Sequence, residues 1–287
     1  MRISRAISDL FRKRVTPAIL RASEAIERDA GIMREVGGEA TATARAVRGT
    51  DRASHRQILA STGEEHNGQA SHDFGNGTST RLSDIYGDRL RIVGQGPVPE
   101  RHLRDLERLP DSFHRKMLGY FASHPKGGID IVAGSVTDVM PELRGVTPRG
   151  WPANTTWDDV PGLHDLSTHR VVLGDRGDHG SVSLAVHEVG HAFDRALLDA
   201  SDSDDFRQLY DKLGSMMPYY AQPGSAGRQE TLAESLAAWA LNRHMPPDHR
   251  DEAIAESLGI TKSKQAQGSL LDSYFSNLQH RLEAPPL

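Results

Sequence analysis

Ser181-Val182-Ser183-Leu184-Ala185-Val186-His187-Glu188-Val189-Gly190-His191-Ala192-Phe193-Asp194-Arg195-Ala196-Leu197-Leu198 is the stretch from which the fold is read. The apolar run before His187, and the helical period that continues past His191, predict one buried helix over about 181–199. Residues four apart on a helix lie about 40° apart around its axis, so His187 and His191 point the same way. Two imidazoles at that spacing can hold one zinc ion. Glu188 projects beside the metal, where it can act as a general base.

An exposed helix face with two histidines and a carboxylate would carry the same motif. A third ligand separates the two readings, because catalytic zinc takes three protein ligands plus water. The pattern H-E-x-x-H-x-x-G-x-x-H would need glycine at 194 and histidine at 197, where the chain has Asp194 and Leu197. An inverted H-x-x-E-H is absent. What remains is a glutamate on a second helix, and Glu230-Thr231-Leu232-Ala233-Glu234-Ser235-Leu236-Ala237-Ala238-Trp239-Ala240-Leu241 supplies one. Leu232, Leu236, Trp239 and Ala240 form an apolar stripe, while Glu230 and Glu234 sit one turn apart on a shared face. One carboxylate should bind zinc, and the other should accept the free N–H of a zinc-bound imidazole. The glutamate-zincin pattern E-x-x-x-[DE] favours Glu230 as ligand and Glu234 as its helper, with the exchanged roles as the alternative.

H-E-V-G-H-A-F-D, followed 39 residues after His191 by E-T-L-A-E, resembles the peptidase domain of anthrax lethal factor and its relatives, among them the secreted bacterial Pro-Pro endopeptidases. Members show H-E-[ILF]-G-H-A-[ILF]-D and then a helix reading roughly E-F-F-A-E-A-F. The runs Thr156 to Gly162 and Arg170 to Gly174 are similar to the segment preceding the active helix there. The resemblance covers roughly 125–245, extending toward 88, and clostridial neurotoxin light chains match less well. It implies zinc held by His187, His191 and Glu230, with Glu188 as base. It also implies a tyrosine that stabilises the tetrahedral intermediate, placed a few residues before the ligand glutamate. Here Tyr219 and Tyr220 lie ten or eleven residues upstream, across a loop flexible by composition; Tyr220 is the preferred of the two.

The remainder of the chain sets the frame. Hydrophobic residues make up 37% and aromatics 6% of 287 residues, low for uniform packing, so a loosely folded part is expected. Residues 60–80 are polar, glycine-rich and aperiodic, and read as a linker. The chain therefore divides into an N-terminal extension over 1–84 and a peptidase domain over 85–287. The first fourteen residues could form a short basic amphipathic helix without the apolar core of a signal peptide, a composition compatible with type III export. A mitochondrial presequence or a plain tail would share it. No stretch approaches a membrane span, and the absence of cysteine excludes disulfides and thiolate metal sites. Residues 1–50 hold ten Lys/Arg against six Asp/Glu, leaving −9 on the rest of a chain of net charge −5. That balance argues against nucleic acid as the main partner.

From 88 onward, strands are expected at 89–93, 128–133 and 170–173, and helices over 99–123 with a break near Pro110. Residues 135–168 should be a long ordered loop over the site, and the 170–173 strand should edge the cleft and pair with substrate. Helices near 203–215 and 228–243, and one or two more to 284, complete an α+β zincin-like fold: a small mixed sheet on the active helix and a mostly helical C-terminal half. His164, His169 and His179 read as surface residues, since a fourth imidazole ligand would close the open coordination position. The function expected is that of a secreted zinc endopeptidase, a toxin or effector cutting a host or surface protein. The alternatives are a catalytically silent effector of the same fold that binds a host partner, and zinc hydrolysis of a non-peptide substrate.

Overall fold

The computed structural model describes residues 80–148, 154–177 and 179–285. The expected N-terminal extension, its basic helix and its polar linker lie outside these residues, apart from the extension's last few positions. The first described helix, α1 (Thr80–Tyr86), places Leu82 and Tyr86 in the core. After it come β1 (Leu90–Val93), α2 (Pro97–Leu106), α3 (Asp111–Ala122) and β2 (Gly128–Val132). Pro110 separates α2 from α3, as its sequence position predicts: it stands just ahead of the first turn of α3, where its missing N–H costs nothing. The antiparallel pair β3 (Gly162–Asp165) and β4 (Arg170–Leu173) precedes α4 (Leu184–Ala196). The C-terminal half is helical: α5 (Asp204–Tyr210), α6 (Ser225–Asn242), α7 (Pro247–Ser257) and α8 (Lys264–Glu283). The architecture is α+β, a small mixed sheet with a helical majority.

The sheet order is β1-β2-β4-β3. The first three strands are parallel, with Arg91 opposite Asp130 and Ile131 opposite Leu173; β3 runs antiparallel to β4, with Leu163 opposite Val172. Side chains alternate between two faces, as a period of two requires. Ile129, Ile131, Val171 and Leu173 join the main core against the helices. There Phe113 of α3 stacks on Phe193 of α4 at 4.4 Å and on Trp239 of α6 at 5.6 Å. The three helices are thereby fixed to one another around the sheet. The opposite face buries Val132, Leu163 and Val172 in a second cluster with Val136 and Met140. On the same face Asp130, 2% exposed, lies between the guanidinium groups of Arg91 and Arg170.

Two expectations are corrected here. The described residues of 135–168 do not form a long loop over the site. Its short 3-10 turns Val136–Asp138 and Trp157–Asp159 are closed by capping boxes from Ser135 and Thr156, and Thr137 Oγ1 donates to Asp158 Oδ1 at 2.6 Å. The result carries Val136 and Met140 onto the outer face of the sheet, and the segment ends in a strand. Nor does Arg170–Leu173 edge the cleft. It is an interior strand, paired with β2 on one side and β3 on the other, which is why its last three residues are fully buried. The edge belongs to β3. Among the described residues, no helix is long and apolar enough to cross a membrane.

Candidate active site

The helix α4 is pinned at its start. Ser183 caps it, accepting from the Val186 N–H at 3.3 Å, and its hydroxyl donates to Asp105 Oδ2 of α2 at 2.8 Å. Along α4, Leu184, Glu188, His191 and Arg195 share a face by helical spacing. Gly162 of β3 lies against this face: a Cβ added there would stand 3.0 Å from Leu184 and 3.1 Å from the Glu188 Cγ. A larger residue at 162 would displace the carboxylate between the histidines.

The second wall is α6, and it approaches closely because two small residues meet. A Cβ built on Gly190 would lie 2.9 Å from the Ala233 Cα. That contact puts both glutamates of α6 over the histidines. Glu234, fully buried, accepts from the Val182 N–H through Oε1 and faces His187 Nδ1 at 3.0 Å through Oε2. Glu230 Oε2 lies 3.2 Å from His187 Nε2 and 3.8 Å from His191 Nε2. Glu230 thus faces Nε2 of both imidazoles, and Glu234 faces the far nitrogen of one of them.

His187, His191 and Glu230 each present one donor atom within 4.8 Å of the others. Donors about 2.0–2.1 Å from a tetrahedral zinc stand roughly 3.3–3.4 Å apart, so the spacing fits. Glu230 Oε2 is buried and, despite its short distances to both imidazoles, receives no hydrogen bond. Such an orphaned oxygen, with two imidazole nitrogens and no sulfur, suits a borderline-soft divalent ion.

Electrostatics follow from burial and from this crowding. Burial pushes the Glu188 carboxyl up to about 7, with Glu230 adding to the effect and His187 opposing it. Burial holds the His191 imidazole down at about 4, neutral and ready to donate a lone pair. For His187 burial acts in the same sense, yet Glu230 and Glu234 outweigh it and raise its affinity for a proton well above the usual value. Burial likewise disfavours the charged form of Glu230, but His187, His191 and Tyr219 bring its carboxyl down to about 2.

The structure separates the two tyrosines. Tyr220 is 4% exposed and packs in the core. Its carbonyl accepts from the Tyr210 hydroxyl at 2.7 Å and the Thr231 hydroxyl at 3.3 Å. Tyr219, half exposed overall, turns its phenol to the Glu230 carboxylate; burial of the hydroxyl, then Glu230, hold its pKa well above the ordinary value. Sequence reading preferred Tyr220; the phenol found against Glu230 is that of Tyr219. The segment just before the tyrosines is braced: the Met217 N–H donates to the Leu258 carbonyl and the Gly214 N–H to Gln267 Oε1.

Three histidines expected on the surface are half buried. His164, on the face of β3 turned toward α4, has its Nε2 3.1 Å from the Tyr120 hydroxyl. Burial, then His191 and Arg195, depress it to about 3. His169 stacks on Tyr120 at 4.2 Å, and burial lowers the pKa of His179. Sequence reading missed Tyr120, Gly162 and the cleft position of His164. The spacing of Gly162 and His164, two residues apart before a turn, was the available signal.

A helix-borne pair of histidines, completed by a carboxylate from a crossing helix beneath a small mixed sheet, defines a metallopeptidase of zincin-like fold. The family described as anthrax toxin lethal factor, N- and C-terminal domain, matches residues 91–247, and the chain belongs to it. A relative named Pro-Pro endopeptidase, from Paenibacillus alvei, is 36% identical over 156 residues, covering 51% of this chain and 68% of its own length. The solved structure of a Pro-Pro endopeptidase from Paenibacillus alvei shares the fold, with a TM-score of 0.50 and 23% identity over 68% of this chain and 99% of that one.

Proposed function

We propose that this chain is a zinc-dependent endopeptidase acting on an extended protein or peptide segment. The observation that carries the reading is the convergence of His187 Nε2, His191 Nε2 and Glu230 Oε2, with Glu188 close enough to feel His187 and Glu230. Zinc bound by these three residues would lower the pKa of a coordinated water and polarise the scissile carbonyl. Glu188 accepts the proton from the attacking water and returns it to the departing amine, a task suited to a carboxyl raised toward neutrality. Glu234 fixes the ring of His187 through its Nδ1. The Tyr219 phenol donates to the oxygen on which charge develops. Among the described residues β3 is an end strand of the sheet, and its outer side would offer backbone groups to an extended substrate.

The relative's name makes Pro-Pro sequences the first substrates to try. The test is zinc content of the purified chain, followed by mass-spectrometric reading of cleavage in a peptide mixture containing Pro-Pro and other sites. One zinc per chain with cleavage that vanishes in Glu188→Ala, zinc retained, supports the reading. Zinc without cleavage of any peptide would favour the partner-binding alternative. We further propose, from the basic, serine-containing residues 1–14, that the chain is secreted as a toxin or effector that cuts a host or surface protein. A reporter fused to these residues and followed into the medium, with and without a type III apparatus, tests the route.

A further inference from the structure

The helix that carries Glu230 begins without a side-chain cap. Its N-cap is Gly224, and Glu230 is only its sixth residue, close to a terminus whose first N–H groups lack helical partners. A metal ligand must be held within about 0.5 Å of its place, so something other than a cap must fix this turn.

Arg228 lies two residues before Glu230. It donates through Nε at 3.0 Å, and also through Nη2, to Asp202 Oδ1. The Arg228 side chain is only 18% exposed. Asp202 closes the 3-10 turn Ala200–Asp202, and that turn is fastened to the histidine helix. The Asp194 carboxylate, 2% exposed, accepts from the Ser201 N–H at 2.7 Å and the Ser201 hydroxyl at 2.8 Å. Asp194 stands three residues after His191. A continuous relay therefore runs from one histidine, through Asp194, Ser201, Asp202 and Arg228, to Glu230.

The turn it crosses is an unusual one. Leu198 and Asp199 both adopt left-handed backbone, φ 60° and 62°, a conformation that Asp tolerates but that is uncommon for leucine. The same first turn of α6 also supports the tyrosine loop. A Cβ on Gly227 would fall 2.3 Å from the Gln222 carbonyl and 2.8 Å from the Tyr220 carbonyl.

We propose that Asp194, Asp202 and Arg228 are positioning residues that set Glu230, and with it Tyr219, relative to the two histidines. This rests on His187, His191 and Glu230 being the metal centre. A partly exposed ion pair ordinarily changes global stability little, whereas residues that orient a ligand change metal affinity about 10–100-fold. The two roles are thus separable.

The experiment measures zinc affinity of the full chain by competition with a chromophoric chelator, beside the melting temperature of the metal-free protein. Arg228→Gln and Asp202→Asn should each weaken zinc about 10–100-fold and leave the metal-free melt unchanged, with Arg228→Lys recovering part of the loss. Arg207→Gln removes a guanidinium 3.8 Å from Asp202 without touching the fork, and should bind zinc as the wild type does. Wild-type affinity in both Arg228→Gln and Asp202→Asn would overturn the proposal. So would an affinity loss matched by a lowered metal-free melt and not rescued by lysine. A wild-type chain that takes up no zinc would instead overturn the metal-centre reading itself.

Discussion

Tyr219 and Tyr220 are adjacent and identical in chemistry; the Tyr219 phenol meets the Glu230 carboxylate, while Tyr220 is buried in the core. Tyr219→Phe should lower kcat about 100-fold, the scale of losing one donor to a developing oxyanion. Tyr220→Phe should leave kcat within about twofold, because its ring serves packing. Steady-state kinetics on one peptide decides between them, and equal losses would return the choice to open. The sequence could not make this choice, since the segment leading to both rings is held by contacts to Leu258 and Gln267, distant in the chain. Glu230 and Glu234 were legible for the opposite reason: one helical turn and one apolar stripe determine which way both carboxylates point. Glu234→Ala should weaken zinc about 10–100-fold while sparing the fold, read by the same chelator competition; an unchanged affinity would remove it from the centre.

At the scale of elements, the crossing of α4 and α6 depends on a pair of small residues. Gly190→Ala forces a methyl to within 2.9 Å of the Ala233 backbone, and should cost about 1–3 kcal/mol as overpacking does. Gly119, in the middle of α3 with nothing within 4 Å of an added Cβ, provides the contrast. There alanine should stabilise by about 0.5–1 kcal/mol through helix propensity alone. Urea midpoints of the two variants should move in opposite directions; movement in the same direction would refute the close-crossing account. The helices were readable from their apolar period and from breakers such as Pro110. β3 was not, because Gly162-Leu163-His164-Asp165 contains no β-branched residue and no Phe, Tyr or Trp. Its strand character comes from pairing with β4, a tertiary fact. The destination of the 135–160 segment was hidden likewise, since Val136 and Met140 find their burial only once Val132 and Val172 are in register.

The whole molecule keeps several imidazoles neutral by enclosing them. His114, fully buried, has its Nδ1 2.8 Å from the Tyr86 hydroxyl and its Nε2 3.0 Å from the Leu106 carbonyl, and burial lowers it to about 4. In the unfolded chain it titrates near 6.5. The unfolded state thus takes up a proton first as pH falls, so the stabilisation is complete above about 6.5 and is lost on the way down to about 4. The shift corresponds to about 3 kcal/mol from this residue, and His164 and His102, lowered chiefly by burial, act in the same sense. Denaturant midpoints at pH 7 and pH 5 should differ accordingly, and His114→Gln should flatten the slope; an unchanged slope would exclude His114 as its source. A different constraint comes from the open sheet edge. β3 has four residues, a span of about 13 Å at 3.3 Å each. Such a short ruler reads only a few residues of a partner chain, and only when they are unwound. On the proposed reading, sites paired to this edge should lie in tails, hinges and loops, and folded regions should resist cleavage.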